Sequence, residues 1–388
     1  MKDIGIYVHI PFCKHKCYYC DFISYANKED LVERYIKVLI KEITDVATGN
    51  KLDYENGIDD LFKVNTIYIG GGTPSFIESK NIADIINTIK EYFIVNENAE
   101  ITLEVNPGTV DENKLKDYFE AGINRLSIGL QSTNDNLLKQ IGRIHTYEEF
   151  LNTYALSRKV GFKNINTDLI IGLPNQTIED VEKSINDLIN LGLEHISVYS
   201  LILEEGTVLE KQVRRGELEL PEDEEERRMY WKVKNLLEKN GYIHYEISNF
   251  AKHGYESQHN LDCWKQKEYV GFGAAAHSYT NGVRYSNIEN IEEYIENYEN
   301  GKIADNFVFH EKQTHNMKVK EYMMLGLRKL KGVCIQEFKE KFAANPIYVF
   351  KNELEKLVGE ELIEIDGDYI KLTYKGLDLA NLVWEEFV

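Results

Sequence analysis

No apolar run in this 388-residue chain is long enough to span a bilayer, and its start, Met-Lys-Asp-Ile-Gly-Ile-Tyr, lacks the apolar stretch of a secretory signal. These absences leave the cytoplasm as the expected location, with membrane contact peripheral at most. Basic charge is scarce: 45 Lys and Arg against 65 Asp and Glu give a formal net charge of -20. That sign argues against broad attraction to nucleic acid or to an anionic membrane. Cysteine is scarcer still. Three of the five, Cys13, Cys17 and Cys20, crowd together, while Cys263 and Cys334 lie far off. This is no disulfide framework; it suits a reducing compartment and a metal or redox site. With 43% apolar and 28% charged residues, the chain has the composition of an ordinary globular protein. Its length suffices for one large domain and a smaller one.

Short β-rich segments alternate with longer stretches of helical periodicity through the first half. The spacing predicts strands over Ile4–Ile10, Thr66–Ile69, Glu100–Val105, Arg125–Gly129, Ile165–Ile170 and His195–Tyr199. Between them, helices are predicted over Leu31–Ile43, Ile82–Tyr92, Glu112–Glu120, Tyr147–Lys159 and Ile178–Leu191. Repeated β/α construction implies a parallel sheet covered by helices. Six units suggest a partial (β/α)6 barrel, although a doubly wound sheet has the same spacing. Residues 1–220 are assigned to this barrel and 221–308 to an extension. A helix is expected from Pro221 through Leu237. Residues 309–388 read as a winged-helix-like module. Its expected helices are Val319–Leu330, Ile335–Phe342, Val349–Leu357 and Leu377–Trp384, and a hairpin joins Leu362–Ile365 to Tyr369–Leu372. Six glutamates between Glu337 and Glu361 dilute its basic residues, so docking or structural use is expected rather than DNA binding.

Polar signals gather just after the predicted strands, where β/α barrels place ligand chemistry. Cys13-Lys-His-Lys-Cys17-Tyr-Tyr-Cys20 follows the first strand, Gly70-Gly-Gly-Thr-Pro74 the second, Asn106-Pro107 the third and Gln131 the fourth, with Asp168 within or near the end of the fifth. Three thiolates can hold three irons of a four-iron cluster and leave the fourth open to a small molecule. A structural zinc completed by His15 or His9 is the alternative. Tyr18 and Tyr19 can shield such a centre or simply pack. Glycines at 70–72 permit close backbone approach, and Thr73 adds a hydroxyl.

The triplet Cys13-x-x-x-Cys17-x-x-Cys20 resembles the signature of the radical S-adenosylmethionine superfamily. That resemblance implies a [4Fe-4S] cluster whose open iron is chelated by S-adenosylmethionine, which an electron from the cluster cleaves to a radical. It sharpens to the oxygen-independent coproporphyrinogen III oxidase family through several segments taken in order. These are Tyr7-Val-His-Ile-Pro-Phe-Cys13, Gly70–Pro74, Glu104-Val-Asn-Pro107, Asn124–Gln131, Gly142-Arg-Ile-His145, Asn166–Ile170, Gly172-Leu-Pro174 and Tyr245–Phe250. By that match Tyr7, Gly71, Gly72, Thr73, Glu104, Gln131, Arg143 and Asp168 are expected to contact S-adenosylmethionine.

The oxidase branch typically carries another cysteine two positions beyond the triplet. Here Asp21-Phe22 follows, as in the haem-chaperone branch. His259-Asn260-Leu261-Asp262-Cys263-Trp264 resembles that branch's haem-associated His-Asn-x-x-Tyr-Trp, with Cys263 at the tyrosine position. The resemblance implies haem as a further cofactor. His259 is the candidate ligand and Trp264 an aromatic packing surface, while Cys263 is either a ligand or a small hydrophobe. His277 is a weaker candidate. The expected function is haem binding and delivery to an acceptor haemoprotein, with a flavodoxin or ferredoxin as electron donor. Oxidative decarboxylation of coproporphyrinogen III is the alternative, so enzymatic activity is left open; a structural cluster without a tetrapyrrole is the blandest reading.

Overall fold

The computed structural model describes residues 2–49 and 62–388. Strands Lys2–Ile10 (β1), Phe62–Gly71 (β2), Ile94–Val105 (β3), Arg125–Gln131 (β4), Asn164–Ile171 (β5) and His195–Ser200 (β6) lie side by side in chain order, all parallel. This order decides between the two architectures. A doubly wound sheet reverses its strand order at a switch point, whereas unbroken order sends every right-handed crossover to one face. Helices Val32–Ala47, Ser79–Tyr92, Glu112–Ala121, Tyr147–Val160 and Ile178–Leu191 coat that face. The other face is the interior of a partial (β/α)6 barrel.

Local chemistry explains why the helices start and stop where they do. In Ile178–Leu191, Thr177 and Asp180 form a capping box, Gly192 ends the helix in the left-handed region, and Val181, Ser184, Ile185 and Leu188 make the buried stripe. Strand residues such as Val8, Ile67, Leu103, Leu126 and Ile165 meet those stripes in one continuous core.

The sheet continues beyond the barrel on both sides. Next to β6 stand Ile243–Glu246 (β7) and Asn249–Ala251 (β8), with β8 antiparallel to both. Tyr269–Phe272 (β9) pairs parallel with β1, followed by antiparallel His277–Thr280 (β10), Val283–Asn287 (β11) and Phe307–Lys312 (β12). The helix expected from Pro221 begins at Asp223 and runs to Lys239.

The C-terminal module has its own apolar core. Helix His315–Gly326, strand Val333–Cys334 (β13), helices Ile335–Phe342 and Lys351–Gly359, and the hairpin Ile363–Asp366 (β14) and Tyr369–Leu372 (β15) follow the winged-helix order. Its first helix starts and ends four residues earlier than the periodicity predicts. The Thr314 hydroxyl caps its start. Beyond its end, the Arg328 carbonyl and Leu330 amide pair with the backbone of Ile247 and Tyr245 instead. The predicted Leu377–Trp384 helix is broken at Leu379 into Tyr374–Asp378 and Ala380–Glu385.

Several contacts tie this module to the barrel's extension, among them the ion pairs Arg227–Asp378 and Arg284–Glu321 and a cation held between two rings. The Arg328 guanidinium lies 4.5 Å from the Trp264 ring centre and 4.4 Å from that of Trp384. Trp264 is therefore engaged by the C-terminal module. Arg328→Ala removes two partly desolvated cation–π contacts and is expected to cost about 2–4 kcal/mol. Urea unfolding with limited proteolysis checks this: the C-terminal module is released first in the variant, and an unchanged curve would discard the clamp.

A candidate cofactor cavity

Side chains alternate across a strand, so every second residue of β2–β6 faces the barrel interior. Tyr68, Glu104, Arg125, Ser127, Asn166, Asp168, Ser197 and Tyr199 share that interior with the cysteine loop, around a cavity of about 510 Å³. Cys13, Cys17, Cys20, Gly71, Gly72, Thr73, Glu104, Gln131, Arg143 and Asp168, all expected at a site, line it together. Tyr7 does not. Its hydroxyl bonds His9 Nδ1 at 2.9 Å and its ring stacks on Tyr68 at 6.3 Å, so it backs a lining residue.

The cysteine loop is held by backbone. Phe12–Cys13 pairs with Tyr25–Ala26, Tyr18 N–H donates to Ile141 O at 2.9 Å, and Leu209 N–H donates to Tyr18 O at 2.8 Å. The glycine loop docks on it through Gly72 N–H to Ile10 O (2.9 Å) and Thr73 N–H to Phe12 O (2.8 Å). Thr73 Oγ1 donates to Cys13 Sγ at 3.4 Å and Arg143 Nη1 to Cys17 Sγ at 3.5 Å. Burial pushes the Cys13 thiol up, and the Cys20 thiol up to about 11. Buried thiols of this kind become good ligands when a soft metal replaces their protons. Both ring nitrogens of His9 are engaged, by Tyr7 and by Ile23 O at 2.8 Å, which removes it as the fourth ligand of a zinc site.

The glycines leave no room for side chains. A Cβ on Gly72 would stand 2.9 Å from Phe12 O and 3.0 Å from Cys13 Sγ; Gly71 sits at φ +115°, where a Cβ would meet the His9 ring at 2.6 Å. Glu104 accepts from Tyr68 Oη at 2.7 Å and Gly71 N–H at 3.1 Å, and burial pushes its carboxyl up to about 7. Burial likewise raises Asp168, which accepts from Asn166 Nδ2 at 2.7 Å and Ser127 Oγ at 3.3 Å. Arg143 Nη2 donates to Asn106 Oδ1 at 2.8 Å and to Gly129 O. Gln131 is held at φ 74°, uncommon for a non-glycine residue, and among the described residues its buried Oε1 has no partner; nor has Arg143 Nε. Three thiols, a glycine cradle and two orphaned polar atoms fit an iron–sulfur cluster with a polar ligand beside it.

Helix Gln258–Trp264 reaches the cavity through Asn260. Glu100 accepts from the Gln258 and His259 amides, both at 3.0 Å. His259 is buried, with Nδ1 2.9 Å from Thr66 Oγ1 and its ring stacked on Tyr68 at 5.2 Å. Burial pushes its imidazole down to about 4. Thr66 lies five residues, roughly 16 Å of strand, before Gly71. Asn260, not His259, lines the cavity. Burial pushes the Cys263 thiol up to about 12, in keeping with a small hydrophobe. His277 lies outside the lining, stacked on His310 at 5.2 Å.

Sequence reasoning missed Tyr68, Arg125, Ser127, Asn166 and Ser197 as lining residues. Their signal is polar–apolar alternation in Arg125-Leu-Ser-Ile and the polar run Asn166-Thr-Asp inside a predicted strand. Parallel strands buried on both faces read as continuous apolar runs, so alternation marks a polar interior.

A model of the radical SAM superfamily matches residues 7–188, and one of the HemN C-terminal domain matches residues 313–379. A curated relative in Lactococcus lactis, named heme chaperone HemW, is 37% identical over 100% of this chain and 98% of its own length. A relative of the same name in Bacillus subtilis is 38% identical over 98% of both. Among solved structures, coproporphyrinogen III oxidase (HemN) from Escherichia coli superposes with a TM-score of 0.84 at 22% identity, covering 100% of this chain and 90% of that one.

Proposed function

The chain belongs to the radical S-adenosylmethionine superfamily, in the haem-chaperone branch of the oxygen-independent coproporphyrinogen III oxidase family, and on that premise we propose that it binds haem and hands it to an acceptor haemoprotein. The observation that carries the reading is one cavity reaching from the cysteine loop to Asn260 of the haem-associated motif. Cys13, Cys17 and Cys20 would hold the [4Fe-4S] cluster. Gly71, Gly72, Thr73, Glu104, Gln131, Arg143 and Asp168 would bind and orient S-adenosylmethionine, with Tyr7 supporting Tyr68. Together these cofactors supply one-electron reductive chemistry when bound. Glu104 and Asp168 would receive the cationic groups, while Arg143 balances thiolate charge at Cys17.

His259 reaches a haem in this reading only when its helix moves off Glu100 and Thr66. Asp21 and Phe22, standing where the oxidase branch places its extra cysteine, line the cavity. Phe22 is 65% exposed and offers an apolar rim to a macrocycle. Among the described residues no helix is long and apolar enough to cross a membrane. A cytoplasmic setting, with a flavodoxin or ferredoxin as donor, belongs to the same proposal.

The test uses anaerobically reconstituted protein with a verified four-iron cluster. Reduced protein is expected to bind haem, and to form no protoporphyrinogen from coproporphyrinogen III given S-adenosylmethionine and reductant. Catalytic product would make decarboxylation the function. Absence of haem binding would end the chaperone reading.

A further inference from the structure

Arg125, the first residue of β4, is 1% exposed and lines the cavity. Its guanidinium carries five N–H donors and remains charged throughout the physiological range. Among the described residues those donors have no hydrogen-bond or ion-pair partner, and the buried Nε is unsatisfied. The acceptors that share the cavity each take other donors. Asn166 Oδ1 bonds His195 Nδ1 at 2.6 Å and Ser197 Oγ at 3.1 Å. The Asp168 oxygens accept from Asn166 and Ser127, and those of Glu104 from Tyr68 and Gly71. The charges of Glu104 and Asp168 partly offset that of Arg125, but its N–H donors still lack an acceptor, which a bound anion would supply.

Position narrows the ligand. Arg125 precedes Gly129, whose carbonyl receives Arg143, by four residues, or roughly 13 Å of strand. It therefore belongs to the floor of the cavity, with Asn260, and not to the thiol end. At the rim, Phe22 and Ile202 are 65% and 68% exposed. A small inorganic anion would satisfy the arginine and leave that apolar rim uncovered. A body with a broad apolar face and an anionic arm satisfies both.

We infer that Arg125 anchors a carboxylate-binding subsite at the cavity floor, and that the carboxylate it receives is a propionate arm of the tetrapyrrole. The inference rests on the haem-binding reading above and adds the residue that orients the ligand.

The test compares haem with its dimethyl ester, in which both propionates are neutral, by titration of cluster-loaded protein. The wild type is expected to prefer haem by about 10- to 100-fold, the worth of one charge-assisted pair. In Arg125→Met, compared as folded, cluster-loaded protein, the preference disappears. Arg125→Lys restores part of the preference. Equal binding of haem and ester by the wild type overturns this subsite and leaves haem binding intact. Failure of the wild type to bind either one sinks the haem reading, and the subsite with it. Loss of S-adenosylmethionine binding in Arg125→Met, with haem preference unchanged, would assign the anion to the cofactor and also overturn the inference.

Discussion

Cys17→Ser protein is expected to emerge from anaerobic reconstitution with almost no cluster iron, no reduced-cluster EPR signal and an affinity for S-adenosylmethionine lowered by at least about 100-fold. Serine keeps the size of the side chain but offers a hard oxygen that is rarely deprotonated, so one corner of the cluster is lost. Cys17 is the informative member of the triplet because it is half-buried, whereas Cys13 is buried and its replacement confounds ligation with packing. The loop does not depend on the Cys17 thiol for its shape: it is tied down through the backbone of Tyr18, to Ile141 and Leu209. The variant should accordingly unfold at the same urea concentration as the wild type without its cluster. Elemental analysis reads the outcome directly. Iron retained at the wild-type ratio would remove Cys17 from the ligand set, and zinc in place of iron would revive the mononuclear alternative.

Glu104→Gln is expected to flatten the pH dependence of stability while weakening S-adenosylmethionine binding. Burial raises the folded-state value of this carboxyl from 4.5 to about 7. Below about pH 4.5 both folded and unfolded chains carry the proton, and Glu104 costs nothing. As pH rises through this window the unfolded chain ionises first, so stability falls until the folded group also ionises near 7. Above that the deficit is complete, on the order of 1–3 kcal/mol. Glutamine imitates the protonated acid at every pH. Urea unfolding of cluster-free protein at pH 5 and pH 8 should show a loss in the wild type and much less of one in Glu104→Gln. Parallel losses would mean that the carboxyl is ionised throughout. The functional side has the opposite sign: a ligand cation beside Glu104 favours the carboxylate, so the substitution that steadies the free protein should impair the loaded one.

The sheet was legible because its strands end in unmistakable chemistry. Cys13–Cys20, Gly70–Pro74 and Asn106-Pro107 sit at or just beyond the ends of β1, β2 and β3, and the residues predicted on them converge on one cavity. Strand order was not legible, since βαβ spacing is the same whether or not the order reverses; only the observed pairing of β1 through β6 decides it. Strand starts were underestimated: Phe62–Asn65 alternates over too few residues to stand out, and Ile94–Ala99 becomes strand by pairing with it. The inner wall was missed for a different reason. Asn166, Ser127 and Ser197 read as ordinary polar strand residues, and only pairing places them across from one another. At the haem-associated motif the residue types were informative but their directions were not: His259 turns to Thr66 and Trp264 to Arg328, and Asn260 is left facing the cavity.

The cation held between Trp264 and Trp384 has a mechanical consequence. Trp264 ends the short helix whose Asn260 floors the cavity, so the C-terminal module grips the cavity from beneath without contributing any residue to its lining. Loss of that cation would be felt first at Trp264 and the helix that carries Asn260, and not at the thiols.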